Sequence, residues 1–168
     1  MMFPLLSHCD ELKTANPELR LYALVDGLQY QQYRGFALHS QRGLNMPLLR
    51  DTDGEALADA GPWLFDLEQD RGWLGVFEDL SQQRPAVIWL LTEKPLNTLA
   101  QLLQARLDTE LPDGQRALLR FYDPRVLSKL QQVLDDEQRH SFFNAAHTWF
   151  WLEAGQLKRH GGEHAKAA

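Results

Sequence analysis

The chain has one cysteine, Cys9, in 168 residues. That excludes an intramolecular disulfide and fits a reducing compartment. A lone thiol near the terminus has no base that the sequence places beside it, so Cys9 is expected to be inert. Basic residues are outnumbered, 17 Lys and Arg against 23 Asp and Glu, for a net charge of -6. With no basic stripe, nucleic acid is not an expected partner. No apolar run approaches the roughly 18 residues of a membrane span, so no membrane is expected either. The opening "MMFPLLSHCDELK" lacks a basic segment and a long apolar core, and is not expected to be a secretion signal. These absences point to a soluble, cytoplasmic protein. There is no internal repeat, no low-complexity block and no linker long enough for two independent domains.

Reactive constellations are scarce as well. No serine lies in a G-x-S-x-G elbow. Gly27, Gly35 and Gly43 are too scattered for a phosphate loop. His160 and His164 are four apart, but they flank Gly161-Gly162 in a polar tail and read as solvated. His140 and His147 share no short motif. The carboxylate pairs Asp51/Asp53 and Asp135/Asp136 look like turn and cap residues. No metal, cofactor or catalytic group is therefore expected from these residues.

What is present is a chain that is 44% apolar, enough for one real core. "LYALVDG" (21–27) reads as a buried strand followed by a turn. Tyr30, Tyr33 and Phe36 have helical spacing, weakened by Gly35. "LNMPLLRDTDGEALADAGP" reads as a loop and then a short helix over 55–60, stopped by Gly61-Pro62. "PWLFDLE" (62–68) is a second strand. "RGWLGVFEDL" (71–80) is a helix with Leu74, Phe77 and Leu80 on its buried side. "AVIWLLT" (86–92), the most continuous apolar run, reads as a central strand. "PLNTLAQLLQARLDTEL" (95–111) is an amphipathic helix with Leu96, Leu99, Leu103 and Leu107 along one stripe. "PDG" (112–114) is a turn and "QRALLRFYD" (115–123) the next strand. Helical spacing follows in Val126, Leu127, Leu130, Val133 and Leu134. Asp135 and Gln138 suit a capping box for another helix carrying Phe142 and Phe143. "HTWFWLEA" (147–154) is the last strand, and 155–168 a loose polar tail. The pattern predicts a single α/β domain, a mixed sheet of about five strands flanked by helices. It divides into an N-terminal segment (1–20), the domain proper (21–154) and the tail.

The densest chemistry lies in "LLRFYDPRVLSKL" (118–130). Asp123 is a favoured N-cap and Pro124 suits the first helical position, so this pair is expected to be a structural helix cap. Strand alternation puts Arg120 and Tyr122 on one face, opposite Leu119 and Phe121. Arg125 sits in the first helical turn, where the dipole disfavours a cation, so another group is expected to hold it there. A structural corner is the simplest reading. A small hydrolase or transferase built on Arg120, Asp123 and Arg125 is an alternative.

The same stretch resembles the "RFYDPR" signature of the type VI secretion effector adaptor family, which carries the domain catalogued as DUF4123. "LYALVDG" is similar to the family's opening strand. Ala60, Gly61, Pro62, Trp63 and Leu64 resemble its "aGPyL" segment. "VIWLLTEKPLNTLAQLLQARL" and "LDDEQRHSFF" resemble the segments before and after the signature. The similarity runs in order from about residue 21 to 152. Leu119 departs from the family's usual phenylalanine, one core residue for another. The resemblance implies a cytoplasmic chaperone that binds one secreted effector and helps load it onto a VgrG or PAAR spike. Arg120, Tyr122 and Arg125 are then the expected partner-binding residues. Five tryptophans and four tyrosines supply possible anchors. An immunity protein for a secreted toxin is the other binding-class alternative.

Overall fold

The computed structural model describes residues 4–49 and 55–162. In chain order its elements are α1 (Leu5–Ala15), β1 (Arg20–Asp26), α2 (Gly27–Arg34), β2 (Asn45–Pro47), α3 (Glu55–Ala60), β3 (Pro62–Asp66), α4 (Gly72–Gln83) and β4 (Val87–Thr92). There follow α5 (Leu96–Leu107), β5 (Asp108–Glu110), β6 (Arg116–Leu118), α6 (Pro124–Val133), α7 (Asp136–Phe143), β7 (Thr148–Glu153) and β8 (Gln156–Gly161). Six strands form one sheet in the order β2-β3-β1-β4-β7-β8, while β5 and β6 make a separate hairpin.

The expected single α/β domain is present, but its sheet is antiparallel at every pairing rather than mixed. Helices between strands suggested parallel crossovers; here β3 and β4 do run in the same sense, but β1 lies between them, so no two neighbouring strands of the sheet are parallel. The centre of the sheet is β1 and β4, whose residues are buried on both faces almost throughout. The sheet divides two apolar cores. One holds Leu5, Cys9 and Leu12 of α1, Tyr30 of α2 and Leu74, Phe77 and Leu80 of α4. The other holds Leu99, Ala100, Leu103 and Leu107 of α5, Leu127 of α6 and Phe143 of α7. The N-terminal segment thus supplies a helix whose buried residues recur every three or four positions. Burial pushes the Cys9 thiol up to about 12, well above the range of reactive cysteines. Glu68 ties α1 to the sheet, accepting from Lys13 and from the Leu21 N–H at 3.0 Å.

Several boundaries differ from the sequence reading. Asp26-Gly27 is no turn: Asp26 caps α2 directly, accepting from the N–H groups of Leu28 at 3.0 Å and Gln29 at 3.3 Å. Gly27 is required by close approach, since a Cβ there would lie 2.2 Å from the Asp59 carbonyl oxygen. Gly35 closes α2 with φ 87°, a left-handed cap that glycine adopts without strain. The short strand β2 lies in what the sequence suggested was loop. The helix expected over 95–111 ends at Leu107, because Asp108 turns extended and opens the β5–β6 hairpin. Val133, counted with the apolar face of α6, is 64% exposed. The largest revision is the tail. Residues 156–161 form β8, paired along its length with β7, and His160 stacks on Phe143 with ring centroids 4.0 Å apart. Asp51, Asp53 and His164 lie outside the described residues.

Candidate functional site

The signature sits at the end of the sheet where β1 leaves and β3 and β4 enter. The strand expected to run to Asp123 stops at Leu118. Leu119 donates its N–H to the Leu107 carbonyl at 2.7 Å, and Asp123 donates to the Arg120 carbonyl at 3.1 Å, so 119–123 is a turn. Alternation therefore fails. Phe121 and Tyr122 are consecutive yet both buried, while Arg120 points to solvent. Phe121 meets Phe142 edge-on with centroids 5.2 Å apart, the geometry aromatic quadrupoles favour.

Asp123 caps α6 as the sequence indicates. Its carboxylate accepts from the Arg125 N–H at 2.9 Å, with Pro124 in the first turn. The Arg125 fork closes on the same carboxylate, Nε at 3.0 Å and Nη2 at 2.8 Å. Asp123 is thus the group that holds Arg125 against an unfavourable dipole, and it raises the guanidinium's pKa. A bidentate pair of this kind is geometrically specific. The Arg125 side chain nevertheless stays 70% exposed.

Asp26 joins the cluster. Burial pushes its carboxyl up, and the N–H groups of Gln29 and Leu28 and the charge of Arg120 pull it back, with Asp123 opposing. Burial also raises the Tyr122 phenol, which feels Arg120, Asp26 and Asp123. Two carboxylates and two guanidiniums so occupy one corner. One of the carboxylates is spent on α2 and the other on α6 and Arg125. Among the described residues the Arg120 guanidinium has no hydrogen-bond or ion-pair partner. It is the cation this corner leaves available.

Beside the corner opens a cleft of about 680 Å³, lined by Pro124, Arg125 and Ser128 of α6, the end of α4 and the β7–β8 turn. Its floor is fixed by a relay that sequence reasoning missed. The Trp151 indole donates to Ser128 Oγ at 2.6 Å, and that hydroxyl donates to Glu153 Oε1 at 2.9 Å. The available signal was the place of Ser128 in the buried stripe with Pro124 and Leu127, at helical spacing. Among the described residues no group of three or more His, Cys, Asp or Glu is placed to hold a metal ion, and no helix is long and apolar enough to cross a membrane.

No curated protein and no solved structure matches the chain. One family model does, described as "Domain of unknown function (DUF4123)", over residues 21–141. That span runs from the central strand β1 through the signature into α7, most of the chain and the whole of the charged corner, and by it the chain belongs to the DUF4123 family.

Proposed function

We propose that this chain is an adaptor that binds one effector of a type VI secretion system in the cytoplasm and helps load it onto a VgrG or PAAR spike. The observation that carries the reading is the family match, which contains an intact "RFYDPR" signature near its C-terminal end. The geometry supports it in two ways. Arg120 is exposed and has no hydrogen-bond or ion-pair partner among the described residues, Arg125 of the same corner lines a cleft of about 680 Å³, and a guanidinium is well suited to a partner's carboxylate. Arg125 and Asp123 satisfy each other, which speaks against a hydrolase or transferase built on them. Partner binding in this reading falls to Arg120 and the cleft wall, with Tyr122 as the buried support behind it.

The test pairs genetics with purification. Deleting the gene should lower the level and stop the secretion of a single effector encoded nearby, while other effectors are unaffected. Co-expressed with that effector, the chain should co-elute with it, and Arg120→Ala should weaken the complex without changing the melting temperature. Unchanged secretion of every effector would sink the proposal. Protection of the producing cell from a toxin, with no effect on export, would point instead to immunity.

A further inference from the structure

The two edges of the six-stranded sheet are built differently. At one end β2 has only three residues and contains Pro47, features that blunt an edge against pairing. At the other end β8 runs for six residues without proline. Its outer side is legible from the hairpin that makes it. Ala154 and Gly155 have φ of 53° and 79°, both positive, as a two-residue type I′ turn requires. The closing pair of such a turn, here Glu153 and Gln156, exchanges hydrogen bonds, and bonded pairs then alternate. Gln156, Lys158 and His160 bond inward to β7. Leu157, Arg159 and Gly161 turn their N–H and C=O groups outward. Arg159 confirms the phase, since its own Nε reaches the Gly161 carbonyl at 3.1 Å and its Nη2 the Gly162 carbonyl at 2.5 Å. That side chain covers the far end of the edge. Nearer the turn, the outward groups of Leu157 and Arg159 receive no hydrogen bond from any side chain or loop among the described residues.

This edge is cationic in an acidic protein. Lys158 and Arg159 are consecutive, while the chain carries a net -6. Lys158 is exposed and, among the described residues, unpaired. Two copies of β8 paired antiparallel about Arg159 would set Arg159 against Arg159. Like charges directly opposite destabilise such a ladder, so a second copy is a poor occupant and an acidic strand a good one. The edge is also continuous with the candidate site: Gly155 and Leu157 line the same cleft as Pro124 and Arg125.

We propose that an extended, acidic segment of the effector adds to the sheet along β8, bonding the outward main chain of Leu157 and Arg159 and placing carboxylates against Lys158 and Arg159. Strand addition draws affinity from main-chain bonds and selectivity from the flanking side chains. The inference rests on the adaptor reading, and its test separates the two. The purified full-length product of the neighbouring effector gene is titrated onto the wild-type chain, Lys158→Glu and Arg159→Pro, with thermal melting to confirm that each variant folds. Proline at 159 removes an outward donor and leaves the inward ladder to β7 intact. Each variant should raise Kd by about tenfold or more, through lost charge complementarity in one and lost pairing in the other. Residue-resolved amide exchange on the wild-type complex reads the same geometry without mutation. The Leu157 and Arg159 amides, open in the free chain, should become protected on binding. If the wild type binds while those amides stay fast, or Lys158→Glu binds as tightly as wild type, β8 is a guarded edge and this proposal is wrong. A wild-type chain that captures no effector overturns the adaptor reading and this proposal with it.

Discussion

Replacing Ser128 by alanine removes one oxygen from the floor of the cleft. The Trp151 indole behind it is fully buried and donates to that oxygen at 2.6 Å. Alanine offers no acceptor to a ring that is 0% exposed. Orphaning a buried donor costs about 1–3 kcal/mol. Glu153, on the solvent side of the relay, exchanges its lost bond for water and adds little. Alanine is the better helix former by about 0.5 kcal/mol, so the net loss is about 0.5–2.5 kcal/mol. For a chain of this size each kcal/mol moves the midpoint by about 2–4 °C, giving a drop of about 1–10 °C. Thermal unfolding followed by near-ultraviolet circular dichroism reads this directly. Ser128→Thr, which keeps a hydroxyl, should recover part of the loss. The sharper check is a double-mutant cycle: in a Trp151→Phe background the donor is gone, and Ser128→Ala should cost much less there. A Ser128→Ala protein that melts with the wild type, or one that loses the same amount in both backgrounds, would refute the relay.

Other outcomes follow from the same contacts. Asp123→Ala should destabilise by about 0.5–2 kcal/mol through loss of the α6 cap, whereas Arg125→Ala should lose less than about 1 kcal/mol because its pair is largely exposed; denaturant titration ranks the two, and an Arg125→Ala loss that exceeds the Asp123→Ala loss contradicts the assignment. Asp26→Asn keeps a capping oxygen and removes a buried charge. Because burial raises that carboxyl, its ionised form opposes folding above its raised pKa, so Asp26→Asn should melt at or above the wild-type temperature at neutral pH and Asp26→Ala below it. Glu68 titrates the other way. Burial works to raise its pKa, but Lys13, the Leu21 N–H and Arg71 together hold it below the ordinary value. Its contribution is then full above the ordinary carboxylate range and lost as pH falls through the lowered pKa; Glu68→Gln should flatten the acid limb of a melting-temperature profile, and an unchanged limb would rule the salt bridge out as its source.

Local chemistry was the readable part of this sequence. The cap at Asp123, the capping box at Asp135 and Gln138 and the buried stripe of Leu74, Phe77 and Leu80 all depend on residues within a turn or two of each other, and all stand in the fold. Strand sense was not readable, because a helix between two strands permits either direction and only packing of the whole decides. Strand β5 hid inside a leucine-rich helical pattern, since Leu107 serves as the last helical core residue whatever follows it, whereas its partner β6 lies within the strand expected over 115–123. The tail misled for a related reason. "QLKRHGG" is polar, and an edge strand needs no apolar alternation when its neighbour β7 supplies the core contacts. In the site, the Asp123–Arg125 grip was one of two outcomes the residues allowed. Asp26, about a hundred positions away in sequence, carried no local sign that it joins Arg120 and Tyr122.

The central strand β1 has a consequence for how this family can drift. Leu21, Ala23 and Val25 serve one core and Tyr22 and Leu24 the other, and all five are 0% exposed. A strand buried on a single face can absorb an inserted residue by bulging its idle side toward solvent. Here there is no idle side. One inserted or deleted residue would exchange every side chain between the two cores and carry Tyr22 away from the Lys94 carbonyl it reaches at 2.7 Å. Within "LYALV", change is restricted to substitution, each position answering to its own core, and any gain or loss of length must fall in the connections beyond it.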